Sequence, residues 1–405
     1  MAESVEANDT PPNDPLSPIR SLRSRRSSPR RSLVRYIGAA TALLVALLAV
    51  NAYATRGSEP ERASAWKPER LDPPVQYAFL SDESGCENPP RQEELDSSIV
   101  TCSDWTMRVE YKKGKDRQEL GLLEYESCDD SGINANCSNN ITITAAASRT
   151  RTGEGEQRGV PFQVSLDGHR VAYFDKGRMA FVGWDLPSAK ILEISPALDV
   201  KGLHDLNGVA VSPRGRFFSV AFTGDRPRVL LTDFSTGRTL ELPGFCGVLG
   251  LSEDTEAIAL RSACPDPIGD EPDRDKIVTI VNHRGQTLAT WPGGEGDLSP
   301  DGKTLANVPD TYGEENVDEQ LVTYDARTGR VLGKRLLKPL SEDSHIIGYG
   351  WLDDDEYIVK AETTDTFESF GYYAVNIRTG KTHRIRDLGL NPGERVSLGK
   401  TLRSE

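Results

Sequence analysis

The chain has 405 residues, of which 37% are hydrophobic and 27% charged, with a formal net charge of −14. That composition suits a soluble globular body and argues against a nucleic-acid partner, because phosphates need a basic surface. The length allows two or three average domains, or one long repeat unit.

Charge is unevenly placed. Residues 1–36 hold seven arginines against Glu3, Glu6, Asp9 and Asp14, a net +3, so the remainder carries −17. Residues 1–35 read as a disordered cytoplasmic tail, polar at first and then rich in Arg, Ser and Pro from Arg20 to Arg35. A basic segment there orients a following membrane helix through the positive-inside bias. Arg25-Arg26-Ser27-Ser28-Pro29 matches what basophilic kinases accept, and phosphate at this place would weaken attraction to anionic lipid.

Residues 36–55 are uncharged, with an apolar core from Ile37 to Val50. They can just cross a bilayer as a helix. Two readings stand. One is a single-pass anchor with the N-terminus in the cytoplasm. The other is an export signal cleaved behind Ala54, because Ala52-Tyr53-Ala54 is a small-x-small pattern and Arg30-Arg31-Ser32-Leu33-Val34-Arg35 resembles a twin-arginine signal. Both readings export everything after residue 55. Residues 56–74 hold Pro60, Pro68, Pro73 and Pro74 and read as a linker. From residue 75 to about residue 388 the pattern is strand-like, and residues 389–405 read as a loose C-terminal tail.

Within 75–388 a unit recurs. Its first turn is Leu166-Asp167-Gly168, Pro213-Arg214-Gly215, Glu253-Asp254-Thr255, Pro300-Asp301-Gly302 and Asp353-Asp354-Asp355. Its second is Pro187-Ser188-Ala189, Ser235-Thr236-Gly237, His283-Arg284-Gly285, Arg327-Thr328-Gly329 and Arg378-Thr379-Gly380. Spacings of 47, 40, 47 and 53 residues from Ser165 to Leu352 match the period of a four-stranded propeller blade. Leu298-Ser299-Pro300-Asp301-Gly302-Lys303-Thr304-Leu305-Ala306 resembles the TolB-type propeller repeat, and Tyr324-Asp325-Ala326-Arg327-Thr328-Gly329-Arg330 the strand-turn-strand of that repeat and its WD-type relatives. The resemblance covers about residues 160–387 and implies an all-β propeller without implying one activity.

Thr106 to Tyr111, Leu120 to Tyr125 and Asn140 to Ala145 are strand candidates for a divergent further blade, and Val75 to Leu80 is expected to pair with the last blade and close the ring. Six blades are expected, with seven as the alternative. All six cysteines follow the hydrophobic segment, which fits disulfides in an oxidising compartment. Cys246 and Cys264 lie nine residues either side of Thr255, so a hairpin sets them opposite one another. Cys128 with Cys137 and Cys86 with Cys102 are the economical remainder among 15 connectivities.

Naming the blade strands a to d from the centre outward, the a–b and c–d turns share one face, expected to be plain. The b–c loops lie on the other. Pro265 to Lys276 carries Asp266, Asp270, Glu271, Asp273 and Asp275; Pro309 to Gln320 carries Asp310, Glu314, Glu315, Asp318 and Glu319; Ala361 to Phe370 carries Glu362, Asp365 and Glu368. Together these loops hold −11 of the −17. Long loops gathered on a rigid scaffold are where binding sites usually sit, so a docking face for a basic protein or other cationic partner is expected there. The calcium-loop spacing is missing, and Asp353-Asp354-Asp355-Glu356 reads as a turn.

His169, His204, His283, His345 and His383 are scattered, and no two have ligand spacing. A Ser/His/Asp grouping from His204-Asp205 and Asp343-Ser344-His345 stays open but lacks a Gly-x-Ser-x-Gly turn. There is no Walker-type loop and no dinucleotide fingerprint, so no cofactor is expected. Trp184, Trp291 and Trp351 fall on or beside predicted strands and read as packing residues. Asn140-Ile141-Thr142 is a sequon, discounted because the export signals read as bacterial. The sequence therefore reads as a membrane-tethered, extracytoplasmic propeller serving as a protein-interaction or scaffold module. The alternatives are an extracytoplasmic propeller enzyme, a hydrolase or lyase on peptide or glycan, which clustered titratable groups in the pore would favour, and the outer sensor domain of a single-pass protein.

Overall fold

The computed structural model describes residues 71, 74–80, 99–100, 104–112, 127–128, 136–151, 157–262, 277–293, 296–309, 319–337, 344–363, 369–385 and 395–400. The tail, the hydrophobic segment, Leu120 to Tyr125, Trp66, Cys86, Cys102 and Cys264 lie outside them. No helix among the described residues is long and apolar enough to cross a membrane.

Six sheets form the blades. From the centre outward, blade two is β8 (Gln163–Val164), β9 (Arg170–Asp175), β10 (Ala180–Asp185) and β11 (Lys190–Glu193). Blade three is β12 (Leu206–Val211), β13 (Phe217–Phe222), β14 (Arg228–Asp233) and β15 (Arg238–Pro243). Blade four is β16 (Gly247–Leu251), β17 (Ala257–Arg261), β18 (Ile277–Asn282) and β19 (Thr287–Pro292). Blade five is β20 (Asp297–Leu298), β21 (Thr304–Asn307), β22 (Gln320–Asp325) and β23 (Val331–Leu336). Blade six is β24 (Ser344–Trp351), β25 (Glu356–Thr363), β26 (Ser369–Asn376) and β27 (Thr382–Arg384). All pairings are antiparallel.

Blade one is made from both ends of the domain. Its order is β28 (Arg395–Leu398), β1 (Val75–Leu80), β3 (Trp105–Lys112), β5 (Asn136–Ile143) and the rim strand β4 (Ser127–Cys128). The expected loose tail thus contains the innermost strand that closes the ring, and Val75–Leu80 is the second strand of blade one. Tyr77 faces Leu398 and Leu80 faces Arg395. Ser397 Oγ accepts the Val164 N–H at 2.9 Å, joining blade one to blade two. The linker also ends earlier than expected: Leu71 is buried, and its N–H donates to Leu186 O at 2.9 Å. A small extra sheet joins β2 (Ile99–Val100), β6 (Arg149–Arg151) and β7 (Gln157–Gly159). The helix α1 (Val200–His204) is capped by Asp199, which accepts from Gly202 N at 2.7 Å.

The middle strands explain the sequence pattern. Both faces of each blade are covered by neighbours, so β13 reads FFSVAF and is buried at every position, whereas a half-solvated strand would alternate. The outer strand β15 does alternate near its end, with Leu242 buried between exposed Glu241 and Pro243. Trp105, Trp184, Trp291 and Trp351 are all buried.

The repeated turns are tied by short polar side chains. Asp325 Oδ1 accepts the N–H of Arg327 at 3.1 Å and of Thr328 at 2.9 Å, and Asn376 does the same for Arg378 and Thr379. Ser299 Oγ donates to Asp301 Oδ1 at 2.6 Å. In blade three, Ser212 Oγ instead donates to Glu253 Oε1 of the next blade at 2.6 Å. Gly302 has φ +71° and lies against Ser252 and Thr255 of blade four, leaving no room for a side chain.

Candidate functional site

The inner strands β28, β8, β12, β16, β20 and β24 line a central cavity of about 370 Å³. Leu166, Pro213 and Pro300 line it too, so it reaches the face that carries the a–b turns. Three of these strands are bulged, at Leu206/Gly208, Val248/Gly250 and Gly348/Gly350. Bulges re-aim a strand and are frequent beside sites. At Gly250, φ is +147° and an added Cβ would lie 2.7 Å from Leu298 Cβ, so only glycine lets blades four and five approach this closely.

Counting two residues back from the turn position of each repeat gives Gln163, Ala210, Gly250, Asp297 and Gly350, and all five line the cavity. Asp297 is the charged residue among the cavity's described lining residues. Its Oδ2 accepts from the Tyr357 hydroxyl at 2.6 Å, and its backbone oxygen accepts from Trp351 Nε1 at 2.8 Å. Trp351 meets Tyr357 edge to face, with centroids 5.3 Å apart. Burial pushes the Asp297 carboxyl above its ordinary range, opposed by the Tyr357 hydrogen bond. Burial, then the charge of Asp297 and their hydrogen bond, hold Tyr357 well above the usual phenol range. Tyr349 donates to Val396 O and stacks edge-on with Tyr372 at 4.9 Å.

The turn face is not plain. Asp354 is pushed upward by burial and then by the charges of Asp301, Asp353 and Asp254, so acids from the turns of blades four, five and six gather there. Arg214 pairs with Glu253 at 3.1 Å and Asp254 at 2.6 Å, and Lys303 with Asp301 at 2.8 Å. Asp353-Asp354-Asp355 does form the a–b turn of blade six, with Asp353 Oδ1 accepting the N–H of Asp355 and Glu356, each at 2.9 Å.

On the opposite face, the longest b–c connections follow β1, β17 and β21. Asp266, Asp270, Glu271, Asp273, Asp275, Asp310, Glu314, Glu315, Asp318, Asp365 and Glu368 lie outside the described residues. Glu319 and Glu362 differ from the expectation of an exposed docking surface: they are 8% and 7% exposed. Glu319 Oε1 lies 2.9 Å from His345 Nδ1 and accepts the Ile346 N–H at 2.7 Å. Lys360 Nζ reaches Glu362 Oε2 at 2.6 Å, and Glu362 faces His345 in register. Glu319 therefore fastens blade five to blade six, whereas the contacts of Glu362 stay within blade six.

His345 is engaged by Glu319, while His283 pairs with Glu256 at 2.6 Å and His383 lies 3.8 Å from Glu356. None of the five histidines lines the cavity. Among the described residues, no group of three His, Cys, Asp or Glu side chains is placed to hold a metal.

No family model and no curated protein matches this chain. Among solved structures it is similar to TolB from Acinetobacter baumannii (18% identity over 59% of this chain and 62% of that one, TM-score 0.32). It is also similar to a putative TolB from Agrobacterium tumefaciens (13% identity, 56% and 82%, TM-score 0.37), and to the Cps50 (Swd1) β-propeller domain of Myceliophteria thermophila (11% identity, 60% and 81%, TM-score 0.35). The chain spans less than two thirds of the Acinetobacter protein's length. These scores add nothing to the fold, which rests on the strand pairing itself.

Proposed function

We propose that the protein is a membrane-tethered, extracytoplasmic propeller whose b–c loop face docks a basic protein partner. One observation carries this reading. The b–c connection of blade two, between β9 and β10, is four residues long, whereas those following β1, β17 and β21 run to 24, 15 and 12 residues and are acidic. Extra chain concentrated on one face of a rigid scaffold is the usual layout of a binding surface. The hydrophobic segment 36–55 supplies the tether, or an export signal cleaved behind Ala54. Disulfides fit the same compartment: Cys246 is buried and half of a disulfide, and Cys128 faces Cys137 across β4 and β5. We assign Cys264 as the partner of Cys246.

The test is titration of the purified full-length chain with an oligolysine peptide at several salt concentrations. The comparison is a variant carrying Asp310→Asn, Glu314→Gln, Glu315→Gln and Asp318→Asn, with the buried Glu319 left intact. Affinity is expected to fall with salt, because exposed charges are screened beyond about 8–10 Å, and to fall again in the variant. Salt-insensitive binding, or an unchanged variant, refutes the loop face.

A second reading, a small-molecule site in the propeller, is favoured by Asp297 in the cavity wall, held from behind by the buried Tyr357.

A further inference from the structure

Asp297 is the charged residue among the cavity's described lining residues, and its carboxylate accepts from the neutral Tyr357. Its layer of the cavity is otherwise made by Gln163, Ala210, Gly250 and Gly350. A Cβ built on Gly350 meets nothing within 4 Å, so space opens where a side chain would stand. No Lys, Arg or His is among the lining residues. Tyr357 satisfies one carboxylate oxygen but brings no positive charge. An acid in a cavity wall with no counter-ion among the described lining residues is costly unless something supplies the charge.

We propose that the central cavity binds a small organic cation, an ammonium group on an apolar stem, with Asp297 as its counter-ion. The apolar stem suits walls such as Val211, Leu298 and Leu251, and the indole of Trp351 also lines the space. About 370 Å³ falls in the size range of small-molecule sites. A calcium ion is a poor fit, since it takes six to eight oxygens. Tyr349 donates to Val396 O, and Ser397 Oγ already accepts from Val164. Asp254, Asp301 and Asp354 lie on the turn face that the cavity reaches, the first two paired with Arg214 and Lys303. Burial raises the Asp297 carboxyl, so affinity for a cation rises with pH through the range in which that carboxyl ionises. Tyr357 on β25 is the titratable group in contact with it, and Tyr349 on β24 also lines the cavity. None of the cavity's described lining residues belongs to a b–c connection.

The experiment is calorimetric titration of the purified full-length chain with benzylammonium and with the neutral benzyl alcohol. Wild type is expected to bind the ammonium at least about tenfold more tightly than the alcohol. Asp297→Asn keeps an acceptor for Tyr357, and is expected to weaken benzylammonium by about thirtyfold or more while leaving benzyl alcohol unchanged. The four-acid loop variant is expected to bind like wild type. No saturable binding of benzylammonium, equal binding of the two probes, or full affinity in Asp297→Asn overturns the proposal. The comparison of probes on wild type stands whether or not the variant folds.

Discussion

Asp297 of blade five, in the cavity wall, and the buried Tyr357 of blade six are 60 residues apart and meet through a 2.6 Å hydrogen bond. The pair joins two inner elements and leaves a carboxyl where burial disfavours its charge.

Stability should therefore depend on Asp297 in a definite direction. Its folded pKa is raised, so the fold pays nothing for this group below the unfolded carboxyl range. As pH rises above that range, the unfolded chain releases its proton first and the fold loses stability. Asp297→Asn does not titrate. Its melting temperature relative to wild type is expected to climb with pH across that window and level off above it. A difference that stays flat with pH would contradict the assignment. A variant that gains stability while losing a ligand would be the usual trade at a functional site.

Glu319 is expected to behave as a fastening residue. Replacing it with Ala leaves the buried Ile346 N–H without its acceptor and removes the contact to His345. The expected cost is about 1–3 kcal/mol, read from chemical denaturation, with Glu319→Gln costing less because it keeps an acceptor. An Ala variant as stable as wild type would mean that blades five and six are held elsewhere.

The C-terminal strand gives a third test. A chain ending at residue 394 lacks β28, exposing the edge of β1 and opening the cavity. Open edges invite aggregation. The truncated chain is expected to melt markedly lower, and a peptide spanning residues 395–405 should restore part of the loss. An unchanged melting temperature would contradict closure by β28.

Reduction is the fourth. Loss of a native disulfide typically costs about 2–5 kcal/mol. Reductant is expected to lower the melting temperature of the wild-type chain, and Cys246→Ser with Cys264→Ser should remove part of that sensitivity. Insensitivity to reductant would contradict the disulfide bracing.

The five repeats were legible because their turns need particular chemistry. Asp or Asn caps the c–d turns of blades five and six, and glycine takes positive φ at Gly168, Gly215 and Gly302. Fully buried middle strands such as FFSVAF also announce themselves. Blade one was harder to read. Arg395-Val396-Ser397-Leu398 is only four residues long, and its partner strand lies more than 300 residues earlier, so no local turn marks it. The burial of Glu319 and Glu362 left no mark in the sequence, because a carboxylate beside a loop reads the same whether it faces a partner, solvent or a neighbouring strand. Asp297 carried a signal that composition misses: in the aligned repeats it holds a charge where other blades have Gln163, Ala210, Gly250 and Gly350.

The central claim, docking of a basic partner on the b–c loop face, is tested most directly by crosslinking with mass spectrometry in the native cells. Wild type is compared with the four-acid variant at Asp310, Glu314, Glu315 and Asp318. The expected result is a specific adduct with a basic protein, mapped to the loops after β17 or β21, that disappears in the variant. An adduct that persists in the variant, or no specific adduct in wild type, would contradict it.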